Sequence, residues 1–245
     1  MHGASILVLS KNLSLAPMSA VDLECIELET STPVTHSVIW LHGLGASGDD
    51  FVPVVPELGV PDSLGVRFIF PHAPVRPITI NNGMAMRGWY DITSLNFDER
   101  EQDLPGTQAS ANAVDALIEQ EISRGVPASN IVLAGFSQGG AIALFAGLTS
   151  KHRVACILAL STYLPLGDTA FKAVADHSDD RKTLPIFFAH GSHDDVIHLK
   201  YAEESRDALE ARGFTVEWST WPMPHSVIPE EIVAMGAWFK TQWRK

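Results

Sequence analysis

Ser137 is the one hydroxyl in the glycine-rich stretch LAGFSQGGAI, residues 133–142, where it stands between Gly135 and Gly139 in a G-x-S-x-G pattern. A plain bend would explain the glycines, which permit tight turning and close packing. It leaves the serine unexplained. The apolar run NIVLAGF (130–136) leads straight into Ser137, and AIALFAGLTS (141–150) leaves it as a helical pattern. Strand, nucleophile, helix is the order of a nucleophile elbow, a strained turn that exposes the hydroxyl and tolerates only small neighbours. The first amides of the following helix also favour negative charge there.

A serine hydroxyl attacks a carbonyl only when a base takes its proton and a third group orients that base. After an elbow of this kind the acid and then the histidine follow in the chain. The downstream histidines are His177, His190, His193, His198 and His225. FFAHGSHDDVIH (187–198) reads as a strand ending in a loop that carries Asp194 and Asp195, at the carboxyl edge where open sheets place their sites. TWPMPHSVIPEEI (220–232) puts His225 in a loop between the next strand and a final helix, from which it can return over Ser137. His190 reads as a structural strand end, and His193 and His198 lie too close to the acid in sequence to serve as base. A metal reading of His190, His193, Asp194, Asp195 and His198 finds neither the i, i+4 helical pair of zinc proteases nor a second ligand cluster.

The negative charge that develops on the attacked oxygen needs donors. The backbone N–H of Gln138, directly after the nucleophile, is one, and the glycine loop LHGLGASG (41–48) offers another at Leu44. That loop also matches the dinucleotide fingerprint G-x-G-x-x-G. The fingerprint requires a helix at once and an acidic residue ending the next strand. Here Pro53 and Pro56 interrupt the segment after the loop, and the next strand ends in PHAP.

These residues need a scaffold, and the chain spells one out. SVIWLHG (37–43), VRFIFPHAP (66–74), NIVLAGF (130–136), VACILALS (154–161), PIFFAHG (185–191) and FTVEWST (214–220) read as strands, several apolar throughout as in a parallel sheet covered on both faces. Helical periodicity lies between them: Val114, Leu117, Ile118 and Ile122 within 107–124, Leu199, Ala202 and Leu209 within 199–212, and Ile232, Met235 and Phe239 near the end. The alternation predicts one α/β domain over residues 1–245 with right-handed crossovers, residues 1–20 being a leader or an added edge strand. The long irregular stretch 71–106 is expected to be functional, with Ile78, Ile80, Met84 and Met86 forming an apolar groove or packing under the loop.

Of 245 residues 46% are hydrophobic and 19% charged, the balance of an ordinary globule. A formal charge of −12 argues against nucleic acid or anionic membranes as partners. No apolar run approaches the roughly 20 residues that span a bilayer. Cys25 and Cys156, in the apolar runs LECIEL and VACILAL, are expected to be free thiols of a reducing compartment, which makes the cytoplasm the expected location.

LHGLGASGDDF, RPITINNGMAMRGWYDI, GFSQGGAIAL, HGSHDDVIH and MPHSVIPEEI, in this order from about residue 30 to 243, resemble the signatures of the acyl-protein thioesterase and small carboxylesterase family. The resemblance implies an α/β-hydrolase fold, a triad of Ser137, Asp194 (preferred to Asp195) and His225, and oxyanion donors at Leu44 and Gln138. It also implies a pocket lined by Trp89. Arg87 and Gly88 stand where many members have Pro-Ser, and HGLGASG where they often have HGLGDTG. The implied activity is hydrolysis of carboxylic esters or thioesters without a cofactor, with short-chain esters, lysophospholipids and S-acylated proteins as substrates. Members often pair through a hydrophobic surface near the site, so a second copy of the chain joins the expected partners. The rival is a hydrolase-fold binding protein without turnover, which would have no need of all three residues.

Overall fold

A computed structural model describes residues 23–61, 63–94, 96, 101–176 and 181–243, so the stretch 1–20 lies outside the described residues. Six strands run parallel: β2 (His36–Leu41), β3 (Val66–Pro71), β6 (Ile131–Phe136), β7 (Cys156–Leu160), β8 (Ile186–Gly191) and β9 (Val216–Trp221). They match the six apolar runs of the sequence. The seventh strand, β1 (Cys25–Glu29), is the antiparallel edge and comes from the LECIEL run. The sheet order is β1-β3-β2-β6-β7-β8-β9.

Side chains alternate between the sheet's faces, as the strand period of two requires. Ile39 and Leu41 point into a core shared with α1 (Leu104–Ser123), α2 (Gln138–Thr149), α3 (Gly167–Asp176) and α4 (Leu199–Glu210). Val38 and Trp40 point the other way, into a core closed by the 3-10 segment Gly48–Leu58 and by α5 (Pro229–Gln242). Pro53 and Pro56 lie inside that segment and supply no amides for helical bonding, so no regular α-helix forms there. α2 is buried from Gln138 to Leu148, which explains its apolar composition on every side.

The region 71–106 has more order than its sequence suggests. β4 (Val75–Ile78) and β5 (Met84–Arg87) form an antiparallel hairpin whose turn uses left-handed conformations at Asn82 and Gly83. α1 begins at Leu104, three residues before the periodic stretch, because Asp103 caps it by accepting from the Gly106 amide at 2.9 Å, with Pro105 in the first turn.

The elbow depends on how closely α2 approaches β2. A Cβ on Gly139 would lie 2.2 Å from the Leu41 carbonyl oxygen and 2.5 Å from that of His42, and one on Gly135 would lie 2.3 Å from Gly139 O. Both glycines of the motif are therefore required by packing. Gly139→Ala must part the helix from the strand, and is expected to cost about 1–3 kcal/mol in a denaturant titration. An unchanged midpoint would show that the contact yields freely.

Glu231, in the first turn of α5, is fully buried, and its carboxyl has the Ile228 amide nearby but makes no hydrogen bond of good geometry among the described residues. Burial pushes its pKa up to about 8, and the Ile228 amide offsets only part of that. Between the ordinary value of 4.5 and about 8 the folded chain keeps a proton that the unfolded chain has released. Stability must then fall as pH rises through this window, by at most about 1.4 kcal/mol per pH unit. Glu231→Gln should remove that slope, so its advantage over the parent in thermal melts should grow from pH 5 to pH 8.5; a constant difference would refute the assignment.

Candidate active site

Ser137 joins β6 to α2 with φ 55 and ψ −122, a conformation that costs a non-glycine residue free energy unless its surroundings impose it. They do. Its amide donates to Leu160 O at 2.9 Å, and its carbonyl accepts from Thr162 Oγ1 at 2.7 Å and from the Ala141 amide at 3.0 Å. Gly135 and Gly139 remove the side chains that would otherwise crowd the turn.

Asp194 and His225 come from the next loops along the same sheet edge. The Asp194 carboxylate is buried, and its Oδ1 accepts from the amides of Val196 at 2.9 Å and Ile197 at 2.8 Å. Oδ2 faces His225 Nδ1 at 2.7 Å. Burial by itself would raise this carboxyl's pKa; the bonds from His225 and from the Ile197 and Val196 amides outweigh it and hold the group below the usual carboxylate range. With an ionised acceptor at Nδ1, the histidine proton sits there, and the Nε2 lone pair is left facing Ser137 Oγ at 2.9 Å. The His225 ring rests on Phe136, centroids 4.8 Å apart.

The loop carrying His225 is pinned to the loop carrying Asp194. Ser192 N donates to Trp221 O at 2.7 Å and His193 N to Met223 O at 3.1 Å. A Cβ on Gly191 would come within 2.4 Å of Met223 O, so this too is a close backbone approach. His190, next to last in β8, is buried, and burial lowers its pKa. Its Nε2 lies 2.8 Å from Ile197 O and 3.4 Å from Asp194 Oδ2, so the neutral ring clamps the acid's loop. Asp195, His193 and His198 are exposed. His177 lies outside the described residues.

Leu44 lies in the loop after β2, and no acceptor takes its amide among the described residues. Gln138 is the first residue of α2, so no helical carbonyl four residues back accepts its amide. Of the apolar residues expected near the site, Ile78 is buried, Ile80 and Met86 are half-buried and Met84 is exposed. Met86 lies against the donor loop, its Sδ 3.7 Å from where a Cβ on Gly45 would be. Trp89 is fully buried, and its indole N–H donates to His42 O at 2.8 Å. It offers no exposed face to a substrate. The supports at Phe136, Thr162 and His42 have no signal in residue type; only the position of His42 at the head of the glycine loop hints at a role.

The arrangement can accept a proton from Ser137, hold the resulting imidazolium against a buried carboxylate, and offer backbone donors to an oxyanion. Comparison with known proteins agrees with that chemistry. Residues 24–242 match the phospholipase/carboxylesterase family model. Acyl-protein thioesterase 1 of Neurospora crassa is 42% identical over 207 residues, covering 82% of this chain and 84% of the relative. The protein of the same name from Cryptococcus neoformans is 36% identical over 234 residues, covering 88% and 96%. Among solved structures, acyl-protein thioesterase 2 of Zea mays superposes with a TM-score of 0.80 at 26% identity, covering 89% of this chain and 98% of that one. SOBER1 of Arabidopsis thaliana gives 0.79 at 27%, covering 85% and 99%. The chain belongs to the phospholipase/carboxylesterase family of α/β-hydrolases and is a hydrolase of the serine-esterase type.

Proposed function

We propose that Ser137 is the nucleophile, His225 the general base and acid, and Asp194 the orienting carboxylate of an acyl-protein thioesterase that removes acyl chains from cysteine thiols and also cleaves simple carboxylic esters. The observation that carries this is the unbroken chain from Ser137 Oγ through His225 to Asp194, at 2.9 Å and 2.7 Å.

Ser137 Oγ adds to the thioester carbonyl as His225 Nε2 takes its proton. The carbonyl oxygen becomes an oxyanion between the amides of Leu44 and Gln138. Collapse of the tetrahedral intermediate breaks the C–S bond, and the imidazolium returns the proton to the departing thiolate. Water then repeats the sequence on the acyl-enzyme, giving the carboxylic acid and restoring Ser137. Each oxyanion donor contributes roughly 10²–10³ in rate in comparable sites. Substrate class is supported by the names of the relatives and by exposed Met84 and Val75 on the hairpin beside the donor loop. The buried thiol of Cys156 fits a cytoplasmic setting.

The test is turnover of a chain-length series of acyl thioesters and p-nitrophenyl esters, with fluorophosphonate labelling alongside. Ser137→Ala should abolish labelling and turnover, and Asp194→Asn should lower kcat by about 10⁴. Wild-type protein that is folded yet neither turns over nor takes the label would leave only the binding-protein reading. Ester turnover without thioester turnover would remove the thioesterase assignment alone.

A further inference from the structure

The two proposed oxyanion donors stand on different elements, Leu44 in the loop after β2 and Gln138 at the start of α2. Between them runs the segment Gly88–Trp89–Tyr90. The Trp89 amide donates to Gln138 Oε1 at 2.8 Å, and Gln138 Nε2 donates to Tyr90 O at 2.7 Å. The Gln138 side chain is thus held at both ends, like a strand paired to the segment. On its other side Trp89 reaches the glycine loop: its indole N–H donates to His42 O at 2.8 Å, the peptide that leads into Gly43 and Leu44. Gly45 N donates to Arg87 O at 2.8 Å, closing the same seam. Ser110 of α1 donates its hydroxyl to the Trp89 carbonyl.

The His42 ring completes the clamp. Its Nε2 accepts from the Ala73 amide at 3.0 Å, so the ring proton is on Nδ1, which donates to Gly43 O at 2.7 Å. The three side chains at its centre are out of solvent: Trp89 is 0% exposed, His42 1% and Gln138 2%.

Building on the proposed acyl-transfer chemistry, we infer that Trp89 is a positioning residue that sets the separation and direction of the two oxyanion donors. One rigid ring is tied to the Leu44 side through its indole and to the Gln138 side through its backbone. Donors stabilise a developing charge only if they are already aimed at it, and displacements of about 0.5 Å are enough to matter. Full burial removes Trp89 from contact with substrate, so its effect passes through the donors. Core packing alone would ask for a large apolar ring at this place. It would not ask for an indole N–H aimed at the carbonyl that leads into the donor loop.

Trp89→Phe keeps an aromatic ring in the core and deletes the N–H. Gln138→Met keeps the backbone donor and deletes both side-chain bonds. The readouts are kcat and KM on one p-nitrophenyl ester, and inhibition by a trifluoromethyl ketone, which adds to Ser137 as a stable oxyanion. In each variant kcat should fall about ten- to a hundredfold with KM within twofold, and the ketone should lose affinity by a similar factor. In the double variant the losses should not multiply, because both act on one geometry. If Trp89→Phe does not fold, Gln138→Met reads the same coupling from the other end. Folded variants with unchanged kcat and ketone affinity would overturn the inference, whatever their melting temperatures. A rise in KM alone would instead make Trp89 a substrate contact. Failure of the acyl-transfer chemistry itself shows separately, as a wild-type Ser137 that neither labels nor turns over.

Discussion

The contact on which the site depends is the meeting of α2 with the end of β2, where Gly139 lies against the Leu41 and His42 carbonyls with no room for a Cβ. That approach fixes three things together. It brings the start of α2 beside the glycine loop, so the amides of Gln138 and Leu44 can face one point. It forces the chain between Phe136 and Gln138 into a sharp turn, which puts Ser137 at φ 55. It also leaves the His42 carbonyl next to the Trp89 indole, where their hydrogen bond ties the donor loop to the core.

The turn at Ser137 costs on the order of 1–3 kcal/mol as a backbone conformation. The elements on either side offset it, since β6 is interior to the sheet and α2 is buried along nearly its whole length. Electrostatics follow the same division of labour. Asp194 is out of water, and two loop amides and His225 keep it ionised against its burial. Its charge faces one imidazole, that of His225. His42 and His190, also buried, have their pKa values lowered chiefly by burial and stay neutral, each locked in one tautomer by a backbone partner.

What could be read from the sequence and what could not divides on physical grounds. The parallel strands are legible because strands covered on both faces are nearly all apolar, as in ILALS or FFAH. Ser137 is legible because an elbow needs small residues at fixed offsets on both sides, and the loops bearing Asp194 and His225 because each follows such a strand. The hairpin Val75–Arg87 escapes notice since its strands are four residues long and one contains Pro77. The edge strand β1 pairs on one side only and carries charged Glu27 and Glu29, so LECIEL reads as strand-like without showing its place in the sheet. Trp89 misleads for another reason. A tryptophan in an irregular loop suggests a pocket wall, and nothing local reveals that its indole partner lies 47 residues earlier in the chain.

The strand order accounts for why these residues converge. From β2 the chain proceeds outward to β3, and from β6 it proceeds the other way to β7, so the loops leaving these neighbouring strands separate and open a crevice at the carboxyl edge. Ser137, the proposed nucleophile, stands at that opening with the Leu44 loop on the β2 side. Asp194 and His225, the proposed acid and base, come from the β7 side, from the loops after β8 and β9. Sheet twist carries those later loops back across the edge, where Gly191 lets the two pack backbone to backbone. Each partner of Ser137 is therefore set by a different strand of one sheet. A shift of any of those strands by one residue would break the hydrogen-bond chain, so the reactive geometry belongs to the register of the whole sheet and not to the motif around the serine.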